Sequence, residues 1–164
     1  MVITPATADR TSAAVAGEQM ERATRINVLR ASVHEAANVS QALHGLYHRE
    51  PAGALEMAAS LRDPDFVLYL AYSDRTCVGY LHGELLSRLD GERMLLIYDV
   101  EVDKNHRRSG VASEMMRTAL RLAENSDVTR CLLLTAPDNA AARGLYESLD
   151  GDEFRAIGFG WNLV

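Results

Sequence analysis

Cysteine is scarce in this sequence. Its 164 residues include two, Cys77 and Cys131, each inside an apolar run. Neither sits in a CxxC or CxH spacing, which excludes a zinc ribbon and a vicinal redox pair. Free thiols in a reducing cytoplasm are the expectation. Long apolar runs are missing too: none approaches the roughly 18 residues of a membrane span. The first residues are rich in Ala, Thr and charge and lack the continuous apolar stretch of a secretory signal. A cytoplasmic location and no membrane partner are expected. Positive charge is in deficit, with 17 Lys+Arg against 23 Asp+Glu and a net charge of −6. That sign disfavours a dedicated nucleic-acid binder and is compatible with a cationic substrate. His44 and His48 lie one helical turn apart with no third ligand at a useful spacing, and His34-Glu35 lacks the second His of H-E-x-x-H. No metal site is expected. GxxxxGK[ST] and G-x-G-x-x-G are absent, which excludes the corresponding nucleotide loops.

What is present is ordinary globular composition, 48% hydrophobic and 24% charged, in a chain long enough for one domain with its own core. Residues 1–24 read as a flexible tail, with a weak helix around 13–23 at most, and 25–164 as the folded domain. Ile26–Leu29 reads as a strand. Ser32-x-x-Glu35 has capping-box spacing ahead of the helical stripe Ala36, Val39, Leu43, Leu46 and Tyr47. Pro51 interrupts that helix or opens a second one carrying Leu55, Met57, Ala58 and Leu61. Strands are predicted over 66–72, 76–86 and 94–102, divided by Ser73-Asp74-Arg75 and by Asp90-Gly91. A helix with Val111, Met115, Ala119 and Leu122 on one stripe follows, then an apolar strand over 129–135 and a helix from Pro137-Asp138-Asn139 to Leu149. One or two last strands are predicted over 153–164. Consecutive strands joined by turns predict antiparallel hairpins, and the strand-helix-strand unit over 94–135 predicts a parallel pair. The expected fold class is α/β (α+β), a mixed central sheet of about six to seven strands with helices on both faces.

The chemistry concentrates between Leu95 and Ala112. A strand runs into the polar loop 103–109, and the loop into a helix start. Arg107, Gly110 and Ala112 form R-x-x-G-x-A. Small residues let the backbone approach a ligand closely. The free N–H groups at a helix start favour an anion, and Arg107 and Arg108 add positive charge. This is a phosphate cradle. On the strand, Val100 and Val102 share one face and Asp99 and Glu101 the other, unless a bulge separates them. Carboxylates within an apolar strand are candidates for handling an amine.

One strand later, Asn139, Ala142, Leu145 and Tyr146 fit N-x-x-A-x-x-L-Y. Together the two runs resemble the GCN5-related N-acetyltransferase (GNAT) superfamily over roughly residues 25–164. The resemblance implies a GNAT fold and acetyl-CoA as co-substrate. It places the pyrophosphate on Arg107, Arg108, Ser109, Gly110, Val111 and Ala112, and the pantetheine arm along the backbone of Val100 and Val102. Asn139 and Ala142 would line that arm, and Tyr146 would be the acid toward the sulfur. Asp99, with Glu101 second, would be the base or the grip on the substrate amine.

Ile97–Val102 followed by His106–Ala112 also looks like the aminoglycoside 3-N-acetyltransferases of the gentamicin-resistance type. This implies a small cationic amine substrate and a role in antibiotic resistance. Another amine (a protein N-terminus, a lysine, a polyamine or a small metabolite) and a non-catalytic coenzyme A sensor are the alternatives. A homodimer through an edge strand or helices is a further expectation. The reaction suits these residue types. An amine is mostly protonated near neutrality and needs a proton acceptor. The carbonyl oxygen gains charge and needs N–H donors. The departing thiolate is helped by an acid.

Overall fold

Five strands succeed one another across a single sheet in chain order: β1 (Ile26–Arg30), β2 (Phe66–Ser73), β3 (Thr76–Ser87), β4 (Arg93–Val102) and β5 (Val128–Leu133). They are taken from a computed structural model that describes residues 26–162. The expected tail over 1–24 lies outside these residues. β1 through β4 are antiparallel, and β4 pairs β5 in parallel. The turns follow from local chemistry. Asp74 at φ 53 closes β2–β3 and Gly91 at φ 85 closes β3–β4, left-handed conformations that Asp tolerates and Gly adopts freely.

Helices cover both faces, as the sequence predicts. α1 (Ala36–Leu43) and α2 (Ala54–Arg62) lie on one side, where Val39, Leu43 and Met57 pack on Leu68, Leu70 and Tyr80. α3 (Val111–Glu124) lies on the other, burying Val111, Met115 and Ala119 against Val67, Val78, Leu81 and Leu95. α4 (Ala140–Glu147) brings Leu145 and Tyr146 to that second cluster. β2 is apolar at consecutive positions because both of its faces are covered.

Three expectations need correction. The sheet has five strands among the described residues, not six to seven. Residues 151–162 form neither helix nor strand. Ile157, Phe159 and Trp161 do alternate as a strand would, yet they are 85%, 81% and 80% exposed. Gly158 and Gly160 weaken a strand locally, and no sheet edge pairs with this segment, so its pattern goes unused. The Ser32 capping box does not form either. The Ser32 hydroxyl accepts from the His34 N–H at 3.4 Å and caps a single 3-10 turn, Val33–Glu35, so that α1 begins only at Ala36. Likewise α4 begins after Asn139, whose side chain accepts from the Ala142 N–H at 3.1 Å.

Candidate active site

The register of β3 and β4 slips at one place. His82 faces Asp99 but Gly83 faces Ile97, so Tyr98 is an extra residue, a β-bulge. Before it, Leu95 and Ile97 point into the α3 cluster; after it, Val100 and Val102 do. Unbroken alternation would send Asp99 and Glu101 into that core, where two carboxylates would be costly to bury. The bulge does not separate the pair; it turns both together onto the α1–α2 face. Gly83 makes the close approach feasible, since a Cβ there would lie 2.6 Å from the Leu96 carbonyl oxygen.

At the same point β4 and β5 part. Their pairing runs from Arg93 to Ile97, and among the described residues Asp99–Val102 pairs only with β3. The Asp103 N–H donates to the Val78 carbonyl at 2.8 Å. By the alternation of an antiparallel ladder, the backbone groups of Val100 and Val102 therefore face the open side. Val102 is already engaged there. Its carbonyl accepts from Arg107 Nε at 3.1 Å, and its N–H donates to Glu101 Oε1 at 3.3 Å. The same Glu101 oxygen accepts from the Arg107 guanidinium at 2.7 Å. Glu101 is thus the anchor of a clasp over Val102, and the backbone of Val100 is left at the edge.

The loop after β4 is built by its own side chains. Asp103 accepts from the Asn105 N–H and lies 3.0 Å from His106 Nδ1, and these contacts hold its carboxyl below the usual range. Ser109 donates from its hydroxyl to the His106 carbonyl at 2.5 Å. Arg108 at φ 63 and Gly110 at φ 86 then bend the chain into α3. Gly110 is the N-cap and offers no side-chain acceptor, and the Glu114 N–H makes the first helical bond, to the Gly110 carbonyl. The amides of Val111, Ala112 and Ser113 therefore stand at the positive end of a 14-residue helix without a side-chain cap. Nothing lies within 4 Å of where a Gly110 Cβ would be. Free amides, an open approach and the neighbouring Arg107 and Arg108 fit an anion such as a diphosphate.

The other expected residues lie apart. Asn139 spends its side-chain oxygen on capping α4, with Ala142 as donor. Tyr146 is half-buried against the α3 cluster, and burial pushes its phenol up, so it keeps its proton at neutral pH. It is on the opposite sheet face from Asp99 and Glu101, and no hydrogen bond joins them. Both cysteines are half-buried with thiols pushed up by burial, Cys131 to about 11, which leaves no reactive thiolate near neutrality. The cleft between β1 and α1, lined by Leu29, Arg30, Asn38 and Tyr72 among others, holds none of these groups.

One neighbour of Asp99 escapes the sequence reading. His82 Nδ1 lies 3.7 Å from Asp99 Oδ2. The Phe66 and Tyr98 rings flank the imidazole at 5.1 and 5.2 Å, and the Tyr98 hydroxyl donates to Glu84 Oε2 at 3.0 Å. Burial lowers the His82 pKa below its ordinary value, against the opposing pull of Asp99 and Glu84. Only the register across the bulge brings these residues together, and no spacing along the chain announces it.

A family model described as the acetyltransferase (GNAT) family matches residues 29–151. The chain belongs to that family. Acetyl-CoA is the acetyl donor of GNAT enzymes. Human N-acetyltransferase 8B is 34% identical over 58 residues, 35% of this chain and 26% of that protein. The matched stretch is thus about a quarter of that relative. Among solved structures, an aminoglycoside acetyltransferase, meta-AAC0020, from an uncultured soil metagenomic sample in complex with sisomicin has TM-score 0.76 at 16% identity, over 85% of this chain and 97% of that one. The aminoglycoside N-acetyltransferase AAC(6')-Iy in complex with CoA has TM-score 0.72 at 15% identity, over 87% and 97%. At these identities the likeness is one of fold, and it does not single out the 3-N group.

Proposed function

We propose that this GNAT protein acetylates a primary amine of a small cationic acceptor, an aminoglycoside, at the 3-N position. The observation that carries this reading is the bulge at Tyr98. At this point the β4 edge that leads to the Arg107–Gly110 loop loses its β5 partner and the Asp99 carboxylate turns out of the core. The choice of the 3-N amine rests on the likeness of Tyr98-Asp99 and His106-Arg107-Arg108 to that group. A cationic acceptor suits Asp99 and Glu84 on one face and the net charge of −6.

Bound acetyl-CoA supplies the thioester-activated acetyl group. The amides from Gly110 to Ser113, with Arg107, Arg108 and Ser109, hold its diphosphate. The Val100 backbone pairs with the pantetheine arm in the manner of an added strand, and Val102 joins once the Glu101–Arg107 clasp opens. Ala142 and Asn139 lie along the arm. Asp99 draws the ammonium to the site, and the protonated Tyr146 phenol donates toward the sulfur. Thiol release from acetyl-CoA with gentamicin-like, kanamycin-like and peptide amines tests the reading. The expected order puts the gentamicin-like amine first, with the product acetylated at 3-N. Preference for a peptide amine, or coenzyme A binding without thiol release for any amine, would overturn it.

A further inference from the structure

We propose that the imidazole of His82 accepts the proton of the incoming ammonium, with the Asp99 carboxylate orienting the ring through Nδ1. The proposal rests on acetyl transfer to an amine and assigns the proton's destination. The bulge sets Asp99 directly across from His82 on the α1–α2 face, with Nδ1 and Oδ2 3.7 Å apart. That is longer than a direct hydrogen bond, and such contacts tighten when substrate binds. With Nδ1 toward Asp99, Nε2 is the nitrogen left for a ligand. The side chains are 31% and 35% exposed, accessible yet largely withdrawn from water. Phe66 and Tyr98 flank the ring, and Tyr98 is itself tied to Glu84.

Matching of proton affinities decides between the two groups. An alkylammonium like that of Lys loses its proton near pH 10, a free carboxylate takes one near 4 and an imidazole near 6.5. The mismatch is roughly six units for an ordinary carboxylate and roughly four for an ordinary imidazole, and transfer is more efficient to the closer partner; burial at His82 widens the second gap. His82 faces Asp99 and Tyr98 from β4, Glu84 from its own strand and the uncharged Phe66 from β2; the charges acting on it are Asp99 and Glu84. Burial outweighs them and keeps the ring neutral and receptive at pH 7.

In the step, one proton of R–NH3+ passes to His82 Nε2. The nitrogen lone pair bonds to the thioester carbonyl carbon as the C–S bond breaks. A second amine proton ends on the sulfur to give the free thiol, and the imidazolium returns its proton to solvent.

The test pairs kcat/KM profiles over pH with an NMR titration of the His82 ring in protein saturated with coenzyme A. The wild type should show an acid limb with a midpoint below 6.5 that coincides with the ring titration. His82→Gln should lose that limb and fall about 10²–10⁴-fold, with coenzyme A affinity and melting temperature kept. Asp99→Asn should keep the limb and move its midpoint down, because Asp99 raises the His82 pKa. An acid limb that survives in His82→Gln overturns the proposal and leaves acetyl transfer to an amine standing. So does a wild-type ring titration that departs from the kinetic limb, which needs no variant to fold. Absence of thiol release from the wild type with every amine overturns both.

Discussion

The two halves of β4 share a strand and its β3 neighbour, and they differ in what lies along the other edge. Arg93–Ile97 is paired on both sides, and Leu95 and Ile97 are fully buried. Tyr98–Val102 is paired on one side, carries Asp99 and Glu101, and has no strand on its other edge among the described residues. The first half fixes the sheet, and the second gives up pairing to make a site. One extra residue, Tyr98, accomplishes the change by shifting the side-chain alternation where the neighbouring strand departs.

The strongest way to separate the halves is to damage each alone. Leu95→Ala leaves a void in the fixed half and should cost about 2–5 kcal/mol of stability in chemical denaturation. Coenzyme A affinity of the folded fraction should stay near that of the wild type. Asp99→Asn should do the reverse, lowering acetyl transfer about 100-fold or more while the denaturation midpoint and coenzyme A affinity hold. If Asp99→Asn instead unfolds the protein, the open half is structural and the contrast fails.

Gly110→Ala probes the loop beyond the open half. The φ of 86 is strained for a residue with a Cβ, so the variant should lose about 1 kcal/mol or slightly more. Coenzyme A affinity should fall with it, as seen by calorimetry. The smallest effect concerns pH. The folded-state pKa of His82 is lowered by burial, so the unfolded chain binds more protons as the medium acidifies. The contribution of His82 is therefore fully present above its unfolded value near 6.5 and is lost as pH falls through the folded value. Stability should decline slightly more steeply below pH 6.5 in the wild type than in His82→Gln.

The sequence made some of this legible and concealed the rest. β2, β3, β4 and α3 carry clear apolar patterns bounded by Asp74, Gly91 and Gly110, and local signals of that kind survive folding. The candidate anion loop is equally plain because Arg107, Gly110 and Ala112 fall within six consecutive residues. The clasp of Arg107 on Glu101 was not, since a strand end and a loop must fold together before the two meet. His82 was invisible for a related reason: its partner is set by cross-strand register, and a single-residue bulge alters that register. The residues from Ile157 to Trp161 show the opposite failure. Their alternation is a valid local strand signal, but a strand also needs an edge to pair with, which no local pattern contains.

Backbone amide exchange, followed residue by residue with and without saturating coenzyme A, tests the division of β4 most directly. The Val100 amide and those of Val111, Ala112 and Ser113 should exchange more slowly in the complex, while Leu95 and Ile97, already locked between two strands, should not change. Protection that is absent from Val100 and the α3 start, or that falls on some other surface at saturation, would contradict the account.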